Sequence, residues 1–502
     1  MTVDSTRLVE RVFVLMLENR SLDHMLGFSG ITGKDAQTGR PTAINGLSGG
    51  ESNTYNGRTF KVGHPADWSM PLDPGHEFTD VLVQLCGPGA VYPPGGAYPP
   101  VNATGYVDSY VKSGGANPGE IMKCFGPAQL PVLTALAREF CVCDDWRASM
   151  PGPTWPNRFF MMAASSGGLD HSPGITQIAE WMTVDGFGFE HGSLFDALSR
   201  AHQSWRIYHG DQGPLSGSFP VAGGLKGIAP WDPHPYSKFP SDIAAASYPA
   251  QFTLIEPNYG DLTSDTYRGG QSQHPLDDVR SGERLIKSTY EALRSSPLWK
   301  TSLLIVTWDE HGGFYDHVGA VPGGAVTPGD KVVTPGDVNK FGFTFEQYGP
   351  RVPAVIVSPR VPQNLIDHRT YDHASIPATV ERLFGLPPLT QRDRHARDVT
   401  GLVSLAAPRA TPETLPGPAA APAATPVLAQ VAGKAGDEGP VDNGSLPGFL
   451  HIAERYDVIL SPPEQRPAIE ARVAGITTRG EARQYLEEVA AKTAAARTAR
   501  GL

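Results

Sequence analysis

The sequence is poor in cysteine. Its four cysteines are Cys86, Cys124, Cys141 and Cys143, among 502 residues. None of their spacings is typical of a zinc finger. Cys141 and Cys143 alternate along a predicted strand, so their side chains should point to opposite faces of a sheet. The sequence therefore predicts buried thiols, with one disulfide as the open alternative.

Long apolar runs are also missing. No stretch approaches the roughly 18 consecutive apolar residues that a membrane-spanning helix needs. The apolar segment 12–17 is too short for the core of a signal peptide, and charged residues stand on both sides of it. The sequence as written predicts a cytoplasmic protein, or a secreted or periplasmic one if a signal segment has been removed.

Basic residues are outnumbered by acidic ones. Lys and Arg total 41 and Asp and Glu total 52, which gives a formal net charge of -11. A nucleic-acid-binding protein usually presents a basic face, so this charge argues against a nucleic-acid partner. An anionic substrate stays open, because a bound cation with a few His and Arg side chains can reverse the local field. Glycine and proline are abundant instead, at 56 and 47 residues, which indicates many loops.

Short strands alternate with helical segments along most of the chain, which is typical of a mainly parallel α/β sheet flanked by helices. The predicted strands are 11–17, 140–143, 205–208, 251–256, 303–306 and 352–358, and the predicted helices are 130–138, 194–201, a long helix opened by His274-Pro275, and a helix to residue 383 capped by 372–375. Strand 11–17 is expected to be central because both of its faces are apolar. Residues 29–125 are rich in Gly, Pro, Asn and Tyr and predict long loops.

A change in composition divides the chain into three parts. The α/β pattern ends near residue 405, so residues 1–405 are predicted to form one large domain. Residues 406–445 are rich in Ala and Pro and predict a linker. Residues 446–502 show helical patterns without a recognisable chemical motif. This C-terminal extension is expected to serve in packing or oligomerisation.

Two adjacent acids, Asp309 and Glu310, follow the apolar strand 303–306 within the segment 307–317 (TWDEHGGFYDH). In open α/β sheets, ligands bind outside the carboxyl ends of the strands. Adjacent carboxylates repel each other there unless a cation or a shared proton intervenes. A hard divalent metal ion is the simplest explanation of the pair, and a solvated turn is the alternative.

A second polar pair, Glu18 and Asn19, follows strand 11–17. Because both strands should end at the same edge of the sheet, these side chains are expected near Asp309 and Glu310. Carboxylates with an amide oxygen suit Ca²⁺, Mg²⁺ or Mn²⁺, and Zn²⁺ is also compatible. The alternative for Asn19 is that it only caps a turn.

Thr154 stands at a predicted helix N-terminus, just before a proline-started apolar run. Its hydroxyl becomes a good nucleophile only when a metal ion or a base lowers its pKa. The alternative is a simple helix cap, and Arg158 most simply anchors the same helix through a salt bridge. His76, His274 and His317 are candidates for holding phosphate oxygens or moving protons, although a lone histidine beside Pro or Gly is usually an ordinary loop residue.

Taken in order, these segments resemble a phosphoesterase family that holds bacterial acid phosphatases and bacterial and plant non-specific phospholipases C. The matching segments are 18–24 (ENRSLDH), 73–76 (DPGH), 151–158 (PGPTWPNR), 273–275 (QHP), 307–317 and 351–353 (RVP). The C-terminal extension lies outside the resemblance. Leu22 stands where the family usually has Phe, which is a packing difference, and some members have Ser in place of Thr154.

The resemblance implies an alkaline-phosphatase-like core and a set of site residues. By resemblance, the metal ligands are Glu18, Asn19, Thr154, Asp309 and Glu310, and the phosphate-site histidines are His76 and His274, with His209 as a further one. Thr154 is also the implied nucleophile, which would give a phospho-threonine intermediate. His274 is the candidate general acid for the leaving alcohol.

The sequence thus predicts a phosphoester hydrolase that depends on one or more divalent metal ions (Ca, Mn, Zn or Mg). A phospholipase C that releases diacylglycerol and a phosphorylated head group from a phosphatidylcholine-type substrate is favoured. The Tyr/Pro-rich loops in 91–111 could supply an apolar approach for acyl chains, together with a transient contact with a membrane surface. An acid phosphatase acting on small phosphomonoesters is the alternative, and a non-catalytic binding protein on the same fold is a third.

Overall fold

One ten-stranded sheet forms the centre of the computed structural model, which describes residues 8–174, 177, 180–181, 185–210, 219–264, 266–420, 436–441 and 444–502. The strands are β1 Arg11–Leu17, β2 Thr32–Asp35, β3 Pro41–Ala43, β4 Ser52–Tyr55, β5 Arg58–Lys61, β6 Cys141–Cys143, β7 Trp146–Arg147, β8 Trp205–His209, β9 Pro233–Pro235, β10 Phe252–Glu256, β11 Ser302–Trp308, β12 Ala354–Val357, β13 Leu365–Asp367 and β14 Tyr371–Asp372. The α-helices are α1 Leu22–Leu26, α2 Phe78–Cys86, α3 Tyr106–Lys112, α4 Pro131–Glu139, α5 Thr154–Ala163, α6 Leu194–Arg200, α7 Phe239–Ile243, α8 Val279–Ser295, α9 Ser375–Phe384, α10 Gln391–His395, α11 Leu446–Ile459, α12 Arg466–Ala474 and α13 Arg479–Ala499.

Strand β1 lies in the middle of the large sheet. The strand order is β3-β2-β13-β6-β12-β11-β1-β10-β8-β9, and only β3 and β12 run antiparallel to the strands they pair with. Leu15 of β1 stands in register with Ile255 of β10 and with Val306 of β11. The mainly parallel sheet flanked by helices and the central position of β1 are both confirmed. Apolar side chains on both faces of β1, all buried, are the physical reason.

Strand β12 forms where the sequence predicts a strand, but it runs against β11. The chain leaves the carboxyl end of β11 and returns to β12 without an intervening helix between residues 309 and 353. A parallel return requires a crossover connection, usually a helix, so the pairing here is antiparallel. The long segment 309–353, which carries the predicted acids, therefore starts and ends at the same edge of the sheet.

The prediction of long loops for residues 29–125 is wrong in part. This segment contains the strands β2 to β5 and the helices α2 and α3. Asn56 and Gly57 have φ values of 47° and 73°, as a two-residue hairpin turn between β4 and β5 requires. Tyr106 and Tyr110 of α3 pack with Ile121 in a second, smaller core. The dipeptide Asn-Gly at 56–57 is the sequence signal that predicts this hairpin.

The long helix expected to open at His274-Pro275 begins at Val279 instead. Asp278 caps it, because its Oδ1 accepts a hydrogen bond from the Arg280 N–H at 2.9 Å. His274 is thereby left on the loop before the helix. The other predicted helices and strands form within about two residues of their expected bounds, which is the usual uncertainty of element ends.

The C-terminal extension packs on the sheet domain. Helix α11 is buried from its first residue to Asp457, and Phe449, Ile452 and Tyr456 belong to the same apolar core as β1. The predicted linker 406–445 lies partly outside the described residues. Its beginning contacts α8, where the Tyr290 hydroxyl donates to Pro412 O at 2.5 Å. The domain boundary at residue 405 stays a prediction.

The four cysteines are free thiols; Cys124, Cys141 and Cys143 are buried and Cys86 is half-buried. Within the described part of the chain, no helix combines the length and the apolar character that crossing a bilayer requires. The cellular location of the protein stays a prediction.

Candidate active site

Four neighbouring parallel strands end at one edge of the sheet, and a polar residue stands at each of these ends. β8 ends at His209 and β10 at Glu256, while Glu18 directly follows β1 and Asp309 directly follows β11. This edge is where open α/β sheets bind their ligands. The sheet therefore brings together residues that lie as far as 290 positions apart in the chain, as Asn19 and Asp309 do.

Asn19 connects three of the predicted site residues. Its backbone N–H donates to Asp309 Oδ1 at 3.0 Å, and its side-chain Oδ1 accepts a hydrogen bond from Thr154 Oγ1 at 3.2 Å. Its φ of 55° is a left-handed conformation, which asparagine adopts more readily than most residues. Thr154 is the first residue of α5 and is buried. The predicted nucleophile and two predicted metal ligands thus lie together.

A glycine pair lets the segment after β11 close over Asn19. Gly312 has a φ of +65°, and a Cβ at this position would lie 2.1 Å from Asn19 O. Gly313 has a φ of +74°, and its Cβ would lie 2.7 Å from Gly75 O. Only glycine fits both the backbone conformation and the space, which explains why a glycine pair follows the acidic residues so closely.

Two oxygens of the buried acidic side chains at this edge lack a protein partner in the described part of the chain. Glu18 Oε2 and Glu310 Oε1 are buried and have no hydrogen-bond partner among the described residues. Burial and repulsion by Asp309 raise the pKa of Glu18 to about 8. Burial also raises the pKa of Asp309 to about 6, although the Arg158 guanidinium opposes this shift. Unsatisfied carboxylate oxygens in one buried cluster are the donor set that fits a hard divalent cation.

The Arg158 guanidinium brings a positive charge to these buried carboxylates. Its Nε donates to Asp309 Oδ2 at 2.9 Å and its Nη2 donates to Leu17 O at 3.0 Å. Its Nη1 lies 3.8 Å from Glu256 Oε2. The salt bridge expected of Arg158 is thus made to a predicted metal ligand, whose carboxylate it orients. Sequence reasoning places Glu256 at a strand end and misses its part in this network.

His373 contacts the backbone of Asp309. Sequence reasoning misses this contact, because it places His373 only in a helix cap. Trp146 Nε1 donates to His373 Nδ1 at 3.3 Å, so the proton of the ring is on Nε2. Nε2 lies 2.6 Å from Asp309 O, to which it therefore donates. Burial lowers the pKa of His373 to about 4, so the ring is neutral. No spacing in the sequence signals this contact.

Asp73, His76 and His274 form a second cluster beside Asn19. His76 Nε2 lies 3.4 Å from Asn19 Nδ2, and His76 Nδ1 lies 2.8 Å from Pro74 O, to which it donates. Asp73 Oδ1 is 4.0 Å from His76 Nδ1, and Asp73 Oδ2 is 3.6 Å from His274 Nε2. Ligand atoms of the three residues lie within 4.8 Å of one another, so this cluster could also hold a metal ion. Sequence reasoning gives Asp73 no role, although the segment 73–76 that contains it carries part of the family resemblance.

The two histidines of this cluster differ in charge. Burial disfavours the protonated form of His76, but the Glu310 and Asp73 carboxylates outweigh burial and raise its pKa to about 10. Burial, together with His76 and Arg20, holds the pKa of His274 well below its ordinary value. The pair therefore offers one positive charge and one neutral ring to an anionic ligand.

His317 and His209 have other surroundings. His317 Nδ1 lies 2.6 Å from Asp23 Oδ2, and Arg351 Nη2 donates to the other oxygen of the same carboxylate at 2.9 Å. These contacts tie the segment after β11 to α1 and to the residues before β12. His209 ends β8, in register with Glu256 of β10. The substrate-binding roles of His317 and His209 stay predictions.

Comparison with known proteins identifies the family. Residues 9–387 match the model of the Phosphoesterase family. The chain belongs to this family. Non-specific phospholipase C6 of Arabidopsis thaliana is 36% identical over 423 residues, a match that covers 81% of this chain and 75% of that protein. Phospholipase C B of Mycobacterium tuberculosis (strain ATCC 25618 / H37Rv) is 29% identical over 433 residues, covering 80% of this chain and 78% of that protein.

The chain also shows a partial likeness to solved structures. A protein in the alkaline phosphatase superfamily from Vibrio parahaemolyticus is 15% identical, with a TM-score of 0.32, over 54% of this chain and 64% of that one. The predicted family is confirmed by the family match, and as a member the protein is a phosphoric ester hydrolase. The helices α11 to α13 lie beyond the matched residues.

Proposed function

We propose that the protein is a metal-dependent phospholipase C acting on phosphatidylcholine-type lipids. The products would be diacylglycerol and a phosphorylated head group. The observation that carries the proposal is the 3.2 Å contact between Thr154 Oγ1 and Asn19 Oδ1, because it puts a helix-terminal hydroxyl inside a cluster of unsatisfied carboxylates. Relatives named phospholipase C in a plant and in a bacterium support the substrate class.

The proposed cation site lies at the carboxyl ends of β1 and β11. Its ligands would be Glu18, Asn19, Thr154, Asp309 and Glu310. When bound there, a divalent cation such as Ca²⁺, Mn²⁺, Zn²⁺ or Mg²⁺ lowers the pKa of a coordinated hydroxyl and offsets the charge of phosphoryl oxygens. The buried oxygens without partners on Glu18 and Glu310 support this choice of ligands.

In the proposed reaction, Thr154 Oγ attacks the phosphorus as an alkoxide. The Thr154 hydroxyl proton would pass to solvent before this attack. The bond from Oγ to phosphorus forms while the bond to the diacylglycerol oxygen breaks, and the protonated His76 gives a proton to that oxygen. The Leu276 N–H points to His274 Nδ1 at 3.5 Å, which supports a neutral His274 ring with its proton on Nε2. Such a ring can donate a hydrogen bond to a phosphoryl oxygen but is too weak an acid to protonate the alcohol. Water then gives a proton to His76 and its oxygen to phosphorus, the bond from phosphorus to Oγ breaks, and the phosphorylated head group is released. Until it gives up its proton, His76 would also stabilise the phosphoryl oxygens with its positive charge.

An aromatic cluster lies beside the site and could meet a lipid substrate through its half-buried members. Phe78, two residues after His76, stacks on Phe341 with ring centroids 4.9 Å apart and contacts Tyr92 at 5.4 Å. Phe160 of the Thr154 helix belongs to the same apolar cluster. Phe78, Tyr92 and Phe160 are themselves buried, so the acyl chains of a phospholipid would meet the half-buried members of the cluster, Tyr98 and Phe341.

Exposed valines on two adjoining loops support a transient contact with a membrane surface. The loops join where Gly95 N donates to Gly342 O at 2.8 Å. Val91 on the first loop is 77% exposed, and Val332 on the second is 51% exposed. Val333, next to Val332, is 48% exposed as well, so the second loop presents two consecutive apolar side chains, and a contiguous exposed apolar patch is typical of an interaction surface.

The test measures hydrolysis of phosphatidylcholine vesicles and of p-nitrophenyl phosphate by the purified full chain. Each substrate is assayed after chelation and again after Ca²⁺, Mn²⁺, Zn²⁺ or Mg²⁺ is added singly. We expect a divalent cation to restore release of diacylglycerol and phosphocholine. Turnover of p-nitrophenyl phosphate alone would overturn the phospholipase C proposal in favour of an acid phosphatase. Full activity after exhaustive chelation would overturn the metal dependence.

A further inference from the structure

Helix α11 of the C-terminal extension lies directly against the helix that carries Thr154. A Cβ on Gly448 would lie 2.1 Å from Trp155 Cζ2, so the absence of a side chain lets α11 approach the indole this closely. Phe449 meets the same indole edge-on, with ring centroids 5.8 Å apart. Trp155 is fully buried and follows Thr154 in the first turn of α5. Contact with α11 therefore fixes one side of that turn.

A second set of contacts connects Phe449 with the Asp309 carboxylate through Tyr259 and Arg158. Its ring centroid is 5.2 Å from that of Tyr259, and the Tyr259 hydroxyl donates to Glu256 Oε2 at 2.5 Å. The Arg158 guanidinium carbon lies 5.3 Å from the centroid of the Tyr259 ring. Arg158 in turn donates to Asp309. A substitution of Phe449 would therefore change the packing of Tyr259 and, through Tyr259, the position of the arginine that orients Asp309.

A third set of contacts joins α11 to Glu256 through a short 3-10 turn. Arg455 of α11 donates from Nη1 to Gly223 O in this turn. Val221 N and Ala222 N, in the same turn, donate to the two carboxylate oxygens of Glu256 at 2.8 and 3.0 Å. The backbone groups that stabilise the buried Glu256 charge are therefore held in place by α11.

We infer that α11 is a positioning element for the reaction, in which Gly448 and Phe449 hold the first turn of α5 and the Arg158–Asp309 pair in the geometry that attack by Thr154 needs. The inference rests on the role of Thr154 in the proposed function. Both residues lie beyond residue 387, outside the part of the chain that matches the family. Because α11 acts through Trp155 and Arg158 rather than through substrate, its displacement should lower kcat more than it changes KM. A misplacement of about 1 Å can cost about 10²-fold in rate.

The decisive variant is Gly448→Ala in the full chain. Alanine favours a helix over glycine by about 1 kcal/mol, so the change strengthens α11 itself while its methyl group displaces Trp155. Gly475→Ala is the matched control in the same extension, because Gly475 has a φ of -86° and its Cβ would make only an ordinary contact, 3.4 Å from Ala471 O. We expect kcat to fall about 10- to 100-fold in Gly448→Ala, with KM within about twofold of the wild type. The Gly475→Ala enzyme should match the wild type in both.

A rescue variant separates positioning from loss of stability. Trp155→Phe shortens the ring that Gly448→Ala would strike, so the double variant should recover kcat relative to Gly448→Ala alone. Backbone hydrogen exchange in residues 154–163 gives a readout that needs no activity, and it should speed up in Gly448→Ala but not in Gly475→Ala.

Wild-type kcat in Gly448→Ala, or no recovery in the double variant, would overturn the inference. If the wild type hydrolyses neither phosphatidylcholine nor p-nitrophenyl phosphate, the proposed function fails, and the exchange comparison alone decides the inference.

Discussion

The Thr154 hydroxyl donates to the side-chain oxygen of Asn19 at 3.2 Å, across 135 residues of chain. Asn19 stands at the carboxyl end of the central strand and Thr154 at the start of a helix, so the contact joins the sheet edge to a helix N-terminus. The Asn19 N–H holds Asp309 at the same time. The hydroxyl thus contacts one candidate cation ligand, which in turn holds a second, and a cation bound by these groups would activate this weak nucleophile.

The first prediction concerns that hydroxyl. Thr154→Val keeps the shape of the side chain and removes its oxygen, so we expect phosphatidylcholine hydrolysis to fall on the order of 10³-fold or more. The melting temperature should change little, because one hydrogen bond contributes only about 1 kcal/mol to stability. Thr154→Ser is the matched control and should keep most of the activity. Wild-type rates in Thr154→Val would contradict the nucleophile assignment.

The second prediction concerns the glycine that lets the acidic segment close over Asn19. Gly312→Ala combines a positive φ with a Cβ 2.1 Å from Asn19 O, so it should displace Asn19, lower the melting temperature and reduce kcat. Gly39→Ala is the control, because Gly39 has a φ of +69° but no heavy atom within 4 Å of the added Cβ. It should lose only about 1–2 kcal/mol of folding stability, which is the cost of a left-handed backbone conformation for alanine. Equal losses of activity in both variants, measured with thermal melts and initial rates, would show that the close approach has no part in the site.

Much of the site follows from local sequence patterns combined with one rule about sheets. Segments 11–17 and 303–306 are apolar on both faces, which predicts two buried strands but does not predict that they pair. The rule that ligands gather at the carboxyl ends of such strands then brings Glu18, Asn19 and Asp309 together, as the structure does. Thr154 is harder to predict from its own surroundings, because a helix cap and a nucleophile leave the same local pattern.

Other parts of the fold and of the site carry no local signal. Periodicity reports that a strand exists but not its direction, so the antiparallel pairing of β12 cannot be read from its residues. His373 reaches Asp309 O across 64 residues, and its neighbours in the sequence only predict a helix start. The contact between Gly448 and Trp155 depends on how a whole extension docks. Long-range packing of this kind is set by the complete fold.

The third prediction concerns pH in the metal-free protein. The pKa of Glu18 is raised from 4.5 to about 8 in the folded chain by burial and by Asp309, so the folded state holds this proton more tightly than the unfolded state. Its contribution to stability is therefore full below about pH 4.5 and is lost as the pH rises through about 8. With chelator present, we expect the melting temperature to fall from about pH 5 to pH 8.

Glu18→Gln is the variant that checks this assignment. The amide keeps the shape of the side chain but does not titrate, so its melting temperature should fall less over the same pH range. A saturating divalent cation should raise the wild-type melting temperature more at pH 8 than at pH 5, because binding must displace the proton at low pH. Parallel pH profiles for wild type and Glu18→Gln would show that another group is responsible for the slope.

The fourth prediction concerns the exposed valines on the loops beside the aromatic cluster. Burying a valine side chain in an apolar medium contributes about 1.5 kcal/mol or more, so removing two such contacts should weaken vesicle binding by at least about tenfold. We expect the double variant Val91→Asp, Val332→Asp to lose about tenfold in rate on phosphatidylcholine vesicles. Its rate on a short-chain phosphatidylcholine kept below its micelle concentration should be unchanged. Leu502→Asp, at an exposed apolar residue outside α11, is the control and should leave both rates alone. An equal loss on vesicles and on the monomeric lipid would place the two valines in the substrate pocket or in the fold, and not at a membrane surface.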